Sequence, residues 1–248
     1  MTEAHIGGAA LRGHYKAIFF DLDGTLLPME LDTFMGHYLD SLSAYMKELS
    51  IDPKKGLAAL GAGVKRMMAN DGSATNCELF WDTFSSMVDA DAQQKIAPYY
   101  ETEFGKIGRF AEPNPDCAAA VETLRSKGYR LALTTMPMFP RGAVEWRLEW
   151  AGVDKDAFEI ITTYENSRSA KPHAAYYQNV IHEMGLRGED VLMVGNNTLE
   201  DGGAVKAGCD LFIVTDHLID PEGGVDLHAT AHGTMADFLS WCKALPRA

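Results

Sequence analysis

Five short, largely apolar runs constrain this chain most. They cover residues 17–20, 130–135, 158–163, 191–194 and 211–214. Continuous rather than alternating apolarity means that both faces of each strand are covered, as in a parallel sheet packed between helices. Helical patterns with their own start and stop signals separate the runs. Asn114-Pro115 supplies a cap and a first-turn proline, and Gly128 a stop. Further helices are expected over about 141–151, from Pro172 to near Gly185, and over about 201–207. Thr234 and Asp237 can form a capping box for a last helix through Trp241. This alternation predicts a doubly wound α/β domain.

One long stretch, from Pro28 to Pro113, breaks the alternation and shows no strand pattern. Residues 31–49 carry apolar side chains at helical spacing. Asp52-Pro53 starts a second helix that ends near Asn70-Asp71-Gly72, Thr75 and Glu78 make a capping-box pattern for a third, and Asp91 can cap a fourth reaching about Phe104. Four such helices can bury a common core as a small bundle. The expected organisation is therefore an α/β core from residues 1–27 and 110–248, with a helical domain inserted at 28–109.

A length of 248 residues allows one large or two small domains. The formal charge of −13 argues against nucleic acid or an anionic membrane as partner, because phosphate backbones reward clustered Lys and Arg. An anionic substrate would need local positive charge, from a metal or from chosen lysines. Cys77, Cys117, Cys209 and Cys242 stand singly, which argues against zinc and suits a reducing cytoplasm. Residues 1–14 lack the apolar core of a signal peptide, and no run is long enough to span a membrane. A soluble cytoplasmic protein is expected.

Ligands of open parallel sheets bind outside the carboxyl ends of the strands. The first run ends in Asp21-Leu22-Asp23-Gly24-Thr25. Two carboxylates this close stay ionised together only if a cation sits between them or one takes up a proton. Both options suit covalent phosphoryl transfer: one carboxylate attacks, a metal screens it, and the other handles the proton. The second run ends in Thr134-Thr135-Met136-Pro137, Lys171-Pro172 follows the third, and the fourth leads into Gly195-Asn196-Asn197-Thr198-Leu199-Glu200-Asp201. Carboxylate, hydroxyl, cation and amide together can bind Mg2+ and a phosphate.

In this order the four segments resemble the haloacid dehalogenase (HAD) superfamily of hydrolases. The helical insert is similar to the cap of its phosphoglycolate-phosphatase-like and β-phosphoglucomutase-like members. The resemblance implies a Rossmann-like core and a Mg2+-dependent phosphatase acting on a small phosphorylated metabolite through an aspartyl-phosphate. In that scheme Asp21 is the nucleophile, and Asp23 protonates the leaving alkoxide and then deprotonates water. Thr135 bonds a phosphoryl oxygen, Lys171 bridges nucleophile and phosphate, and Gly24, Thr25 and Met136 complete the phosphate site. Asp21, Asp23, Asn196 and Asp201 hold the metal. A second aspartate in the first motif speaks against dehalogenation. A phosphomutase, or a catalytically weakened binding or regulatory protein, are the alternatives, as monomer or homodimer.

Two departures stand out. Met136 occupies a place where relatives often show Asn. Asn196-Asn197 stands where many relatives have Asp after the glycine, and a neutral amide carbonyl is a weaker Mg2+ ligand than a carboxylate. Weak Mg2+ binding is expected, with Asp201 the main acidic contributor of its loop, directly, through water or through Lys171. Outside this set, His37, His173 and His182 read as surface or helix-face residues. Arg141 reads equally as a substrate contact or a helix start. The Met67-Met68 pair and the Phe80, Trp81, Phe84 cluster read as bundle core.

Overall fold

The computed structural model describes residues 6–248; residues 1–5 of the N-terminal stretch considered above lie outside the described residues. Six strands form one sheet: β1 (Ala17–Phe20), β2 (Arg130–Leu133), β3 (Ile160–Ile161), β4 (Val191–Gly195), β5 (Asp210–Val214) and β6 (Ala231–Gly233). Their order is β3-β2-β1-β4-β5-β6, and every neighbouring pair is parallel. This is the expected doubly wound α/β architecture. The order reverses between β1 and β4, and that switch point leaves a crevice beyond the strand ends. Phe20 of β1 is in register with Leu133 of β2 and Val194 of β4. Asp21, Thr134 and Gly195 therefore follow at one level.

Strand alternation explains the largely apolar runs. Ile18, Phe20, Leu131, Leu133, Leu192 and Val194 enter one core cluster, while Ala17, Phe19, Ala132 and Met193 enter another. The helices covering the two faces are α6 (Pro115–Ser126), α7 (Arg141–Trp150), α8 (Ala174–Glu183), α9 (Gly203–Lys206) and α10 (Met235–Ala244). Asn114 caps α6, and Thr234 with Asp237 forms the expected box on α10. β6 was not foreseen, because Ala-His-Gly carries no apolar run. It is held by β5 on one side and by a bridge from Gly7 to His232 on the other.

Between β1 and β2 lie α1 (Leu31–Glu48), α2 (Pro53–Met68), α3 (Asn76–Met87), α4 (Ala92–Ile96) and α5 (Tyr99–Thr102). Asp52 caps α2 and the Thr75–Glu78 box caps α3. The fourth helix expected from Asp91 to about Phe104 is broken. Asp91 makes no capping bond, α4 ends at Ile96, and α5 and a 3-10 turn at Phe104–Phe110 follow. Pro98 is the cause: it lacks an N–H, and its ring crowds the preceding turn.

This segment has its own apolar cluster, including Phe34, Tyr38, Phe84, Tyr99 and Phe104, which extends to Ala143 of α7 and Tyr164 after β3. Polar bonds fix the same junction. The fully buried Asn76 donates through Nδ2 to the carbonyls of Pro137 (3.1 Å) and Ser169 (3.2 Å), and Trp81 Nε1 donates to the Tyr164 hydroxyl at 3.0 Å. Buried amide hydrogens left without these carbonyls would cost about 1–3 kcal/mol, so the bonds specify where the helices sit.

Candidate active site

The site starts where β1 ends. The Asp21 N–H continues the ladder to the Val194 carbonyl at 2.9 Å, and the chain then turns tightly, with Gly24 N–H on Leu27 O and Leu27 N–H on Leu22 O, both 2.8 Å. Gly24 has φ +79°, and a side chain there would strike the Asn196 amide. Glycine thus lets the β1 turn close on the end of β4. The Asn196 Nδ2 donates to the His217 carbonyl at 2.6 Å, which orients Oδ1 toward the Thr25 hydroxyl at 3.2 Å. The same hydroxyl lies 3.5 Å from Asp21 Oδ2.

Lys171 lies fully buried between two carboxylates. Its Nζ donates to Asp21 Oδ1 at 2.6 Å and to Asp201 Oδ1 at 2.7 Å. The other Asp201 oxygen accepts the Asn197 N–H at 2.9 Å. Asp201 has no exposed surface, and Gly195 leaves room for it, since a Cβ there would collide with the Asp201 carboxylate. Burial alone would lower the Lys171 pKa, but Asp201 and Asp21 outweigh it and hold the ammonium well above its usual range. Burial pushes Asp21 up to about 7 against the pull of Lys171, with Asp201 and Asp23 adding to the rise.

Successive residues after β2 point opposite ways. The Thr134 hydroxyl turns inward to the Phe20 carbonyl at 3.2 Å, whereas Thr135 lines the cavity over Asp21 and its hydroxyl has no protein partner. Two hydroxyls pin the Thr135 carbonyl from behind: Tyr176 at 2.7 Å and Thr162 at 3.0 Å.

Asp23 is paired with a residue that the motif reading passed over. Arg147 of α7 is fully buried, and its Nη1 donates to Asp23 Oδ2. Its Nε donates to the Ala143 carbonyl at 3.2 Å, and the guanidinium lies 4.6 Å above the Phe139 ring. Asp23 Oδ1 and Arg147 Nη2 are buried without partners. A signal was present in the sequence: Ala143, Val144, Arg147 and Leu148 share the buried face of α7. An arginine on an apolar stripe needs a partner, because an unpaired buried charge is too costly. Arg141, the arginine singled out from the sequence, opens α7 at the surface and pairs with Glu145 at 2.7 Å.

The cavity over these groups has a volume of about 410 Å³ and is lined by Asp21, Asp23, Gly24, Thr135, Met136, Asn196, Asn197 and Glu200 from the strand-end loops. Thr25, Lys171 and Asp201 sit behind that lining. Burial raises the Glu200 carboxyl. Among the described residues, no group of three His, Cys, Asp or Glu side chains converges on one metal position. The helical segment supplies the opposite wall. Met67 is core, as expected, but its neighbour Met68 and the buried Phe80 both line the cavity. His37 stacks on Phe110 at 3.8 Å beside a separate cavity of about 300 Å³, which none of the strand-end residues reaches. No helix among the described residues is long and apolar enough to cross a membrane.

A pyrophosphatase, PpaX of Bacillus cereus (strain AH820), is 24% identical over 193 residues, 78% of this chain and 80% of its own length. The fold matches a HAD phosphatase from Thermococcus onnurineus with a TM-score of 0.58 at 20% identity, covering 94% of this chain and 100% of that one. It also matches a predicted phosphoglycolate phosphatase from Haemophilus somnus 129PT with a TM-score of 0.57 at 19% identity, covering 92% and 98%. The model of the haloacid dehalogenase-like hydrolases matches residues 15–208, from the start of β1 past the loop of Asp201, and the chain belongs to that family.

Proposed function

We propose that the protein is a Mg2+-dependent phosphatase that hydrolyses a small phosphate monoester through a phosphorylated Asp21. The observation that carries this reading is the buried Lys171, which holds Asp21 Oδ1 while the carboxylate lines a cavity also lined by the unpartnered Thr135 hydroxyl. A nucleophile, a fixed positive charge and a free donor at one cavity are the parts phosphoryl transfer needs.

Asp21 attacks phosphorus, and the bond to the ester oxygen breaks. Asp23 gives that oxygen its proton, then takes one from the water that cleaves the acyl phosphate and restores Asp21. Thr135 donates to a phosphoryl oxygen, and Lys171 offsets negative charge. Asp201 enters this reading as the anchor of Lys171 rather than as a metal ligand, because both its oxygens are engaged. Arg147 is a positioning residue: it holds Asp23 Oδ2 and leaves Oδ1 for the reacting oxygen. The Asp21 carboxylate and the Asn196 amide oxygen fit a hard divalent cation such as Mg2+. When bound, it would neutralise phosphoryl charge. With a neutral amide in place of a second carboxylate, weak affinity is expected. The helices of residues 28–109 act as a cap that keeps bulk water from the acyl phosphate.

Hydrolysis of p-nitrophenyl phosphate with and without Mg2+, by wild type and by Asp21→Asn, tests the reading. Turnover is expected only from wild type with metal. No release from this or any other monoester by wild type would refute it.

A further inference from the structure

The wall that faces the reacting atoms is apolar. Leu31, Val64 and Met68 of the helical segment and Ile219 of the core line the cavity, and all four are among the large apolar side chains that remain exposed. They account for half of the eight exposed large apolar residues among the described residues, so solvent-facing hydrophobic surface is concentrated at this one mouth. An exposed apolar patch at a cavity marks a binding surface. Deeper in, Phe80 and four further methionines contribute to the lining. Methionine adapts its shape to irregular apolar ligands.

The tyrosine hydroxyls on this wall face protein partners. The Tyr38 and Tyr100 hydroxyls bond each other at 2.7 Å, and the Tyr164 hydroxyl accepts from Trp81. Lys, Arg and His are absent from the lining among the described residues. The two buried cations near the floor are committed, Lys171 to Asp21 and Asp201, and Arg147 to Asp23. A charged or polyhydroxylated leaving group would lose its water here and find only tyrosine hydroxyls and no charge, at a cost of roughly 2–7 kcal/mol per polar group left unpaired. A second phosphoryl group, as in the pyrophosphate named for PpaX, would place further negative charge against an uncharged wall. A volume of about 410 Å³ lies within the range of cavities that enclose most of a small ligand.

We propose that the substrate is the phosphate monoester of an uncharged, predominantly apolar alcohol, the alkyl part lying against Met68, Val64 and Phe80. This rests on the phosphatase reading and narrows its substrate class. The test is phosphate release with Mg2+ from ethyl, butyl, hexyl and octyl phosphate, beside pyrophosphate and p-nitrophenyl phosphate. The value of kcat/KM is expected to rise about fourfold per methylene until the cavity is filled, since each buried CH2 contributes about 0.8 kcal/mol. Octyl phosphate is expected to exceed pyrophosphate by at least about 100-fold. A flat series, or a preference for pyrophosphate, overturns this proposal and leaves the phosphatase reading standing. Silence on every ester, p-nitrophenyl phosphate included, removes both. Met68→Lys, at the exposed rim, is expected to lower the octyl-to-pyrophosphate ratio at least tenfold; an unchanged ratio also counts against the proposal.

Discussion

The floor of the cavity comes from strand ends, and the opposite wall comes chiefly from helices placed between the first two strands. On the floor the buried cations are paired: Lys171 between Asp21 and Asp201, and Arg147 on Asp23. On the wall the groups are apolar, several remain exposed, and the tyrosine hydroxyls are turned to one another. In the proposed reaction the contrast separates two tasks. Chemistry needs charges held before the substrate arrives, because reorganising them during the reaction is costly. Selection needs only surface that loses water favourably and adapts in shape.

Breaking the floor is expected to have the largest effect. Lys171→Met leaves Asp201 fully buried without its cation, and loss of one partner of a buried pair costs about 3–5 kcal/mol. Urea unfolding should show that loss, and turnover should fall about 100-fold or more. Adding Asp201→Leu should recover stability without recovering turnover. A single variant as stable as wild type would mean that the buried pair is not what holds the floor together.

Arg147→Met separates positioning from folding. In the proposed reaction, the proton given by Asp23 matters for a poor leaving group and little for p-nitrophenolate. Turnover of an alkyl phosphate should drop about 100-fold, within the usual range for general acid catalysis, while p-nitrophenyl phosphate loses far less. Equal losses on both esters would reduce Arg147 to a structural role. Arg147→Lys should restore part of the difference.

The smallest effect concerns protons. Burial raises Asp21 to about 7, so the metal-free carboxyl is partly protonated at neutral pH and ionises as pH rises. A cation favours the ionised form. Mg2+ binding at pH 7 should therefore release roughly half a proton, and Mg2+ affinity should rise from pH 6 to pH 8. Calorimetry in two buffers of different ionisation enthalpy measures the release. None from wild type, or the same from Asp21→Asn, would contradict the assignment.

Much of the core was legible because its signals are local. Caps act within three residues, as at Thr75–Glu78 and Thr234–Asp237. Largely apolar runs identified five strands, while β6, three residues long and held by its neighbours, gave none. The break at Pro98 was readable in principle, since a proline inside a helical pattern interrupts it. The faces of the inserted helices were harder. Met67 and Met68 are adjacent and equally apolar, yet one is core and the other cavity wall. A pattern shows that a helix has an apolar stripe, not which of two apolar surroundings each side chain enters.

Asp21, Asp23 and Thr135 stood out because each lies at or just past a strand end, where a parallel sheet gathers its ligands, and Lys171 because it lies in the loop that follows the third strand. The amino-acid sequence by itself determined that layered alternation and the residue types available at the strand ends. Tertiary structure decided the partners. Arg147 meets Asp23 across 124 residues, and Lys171 meets Asp21 across 150. It also decided that Asp201 lies behind the cavity lining with both oxygens occupied. The physical reason is desolvation. What a charge does depends on which distant groups replace its water, and local spacing carries no information about that exchange.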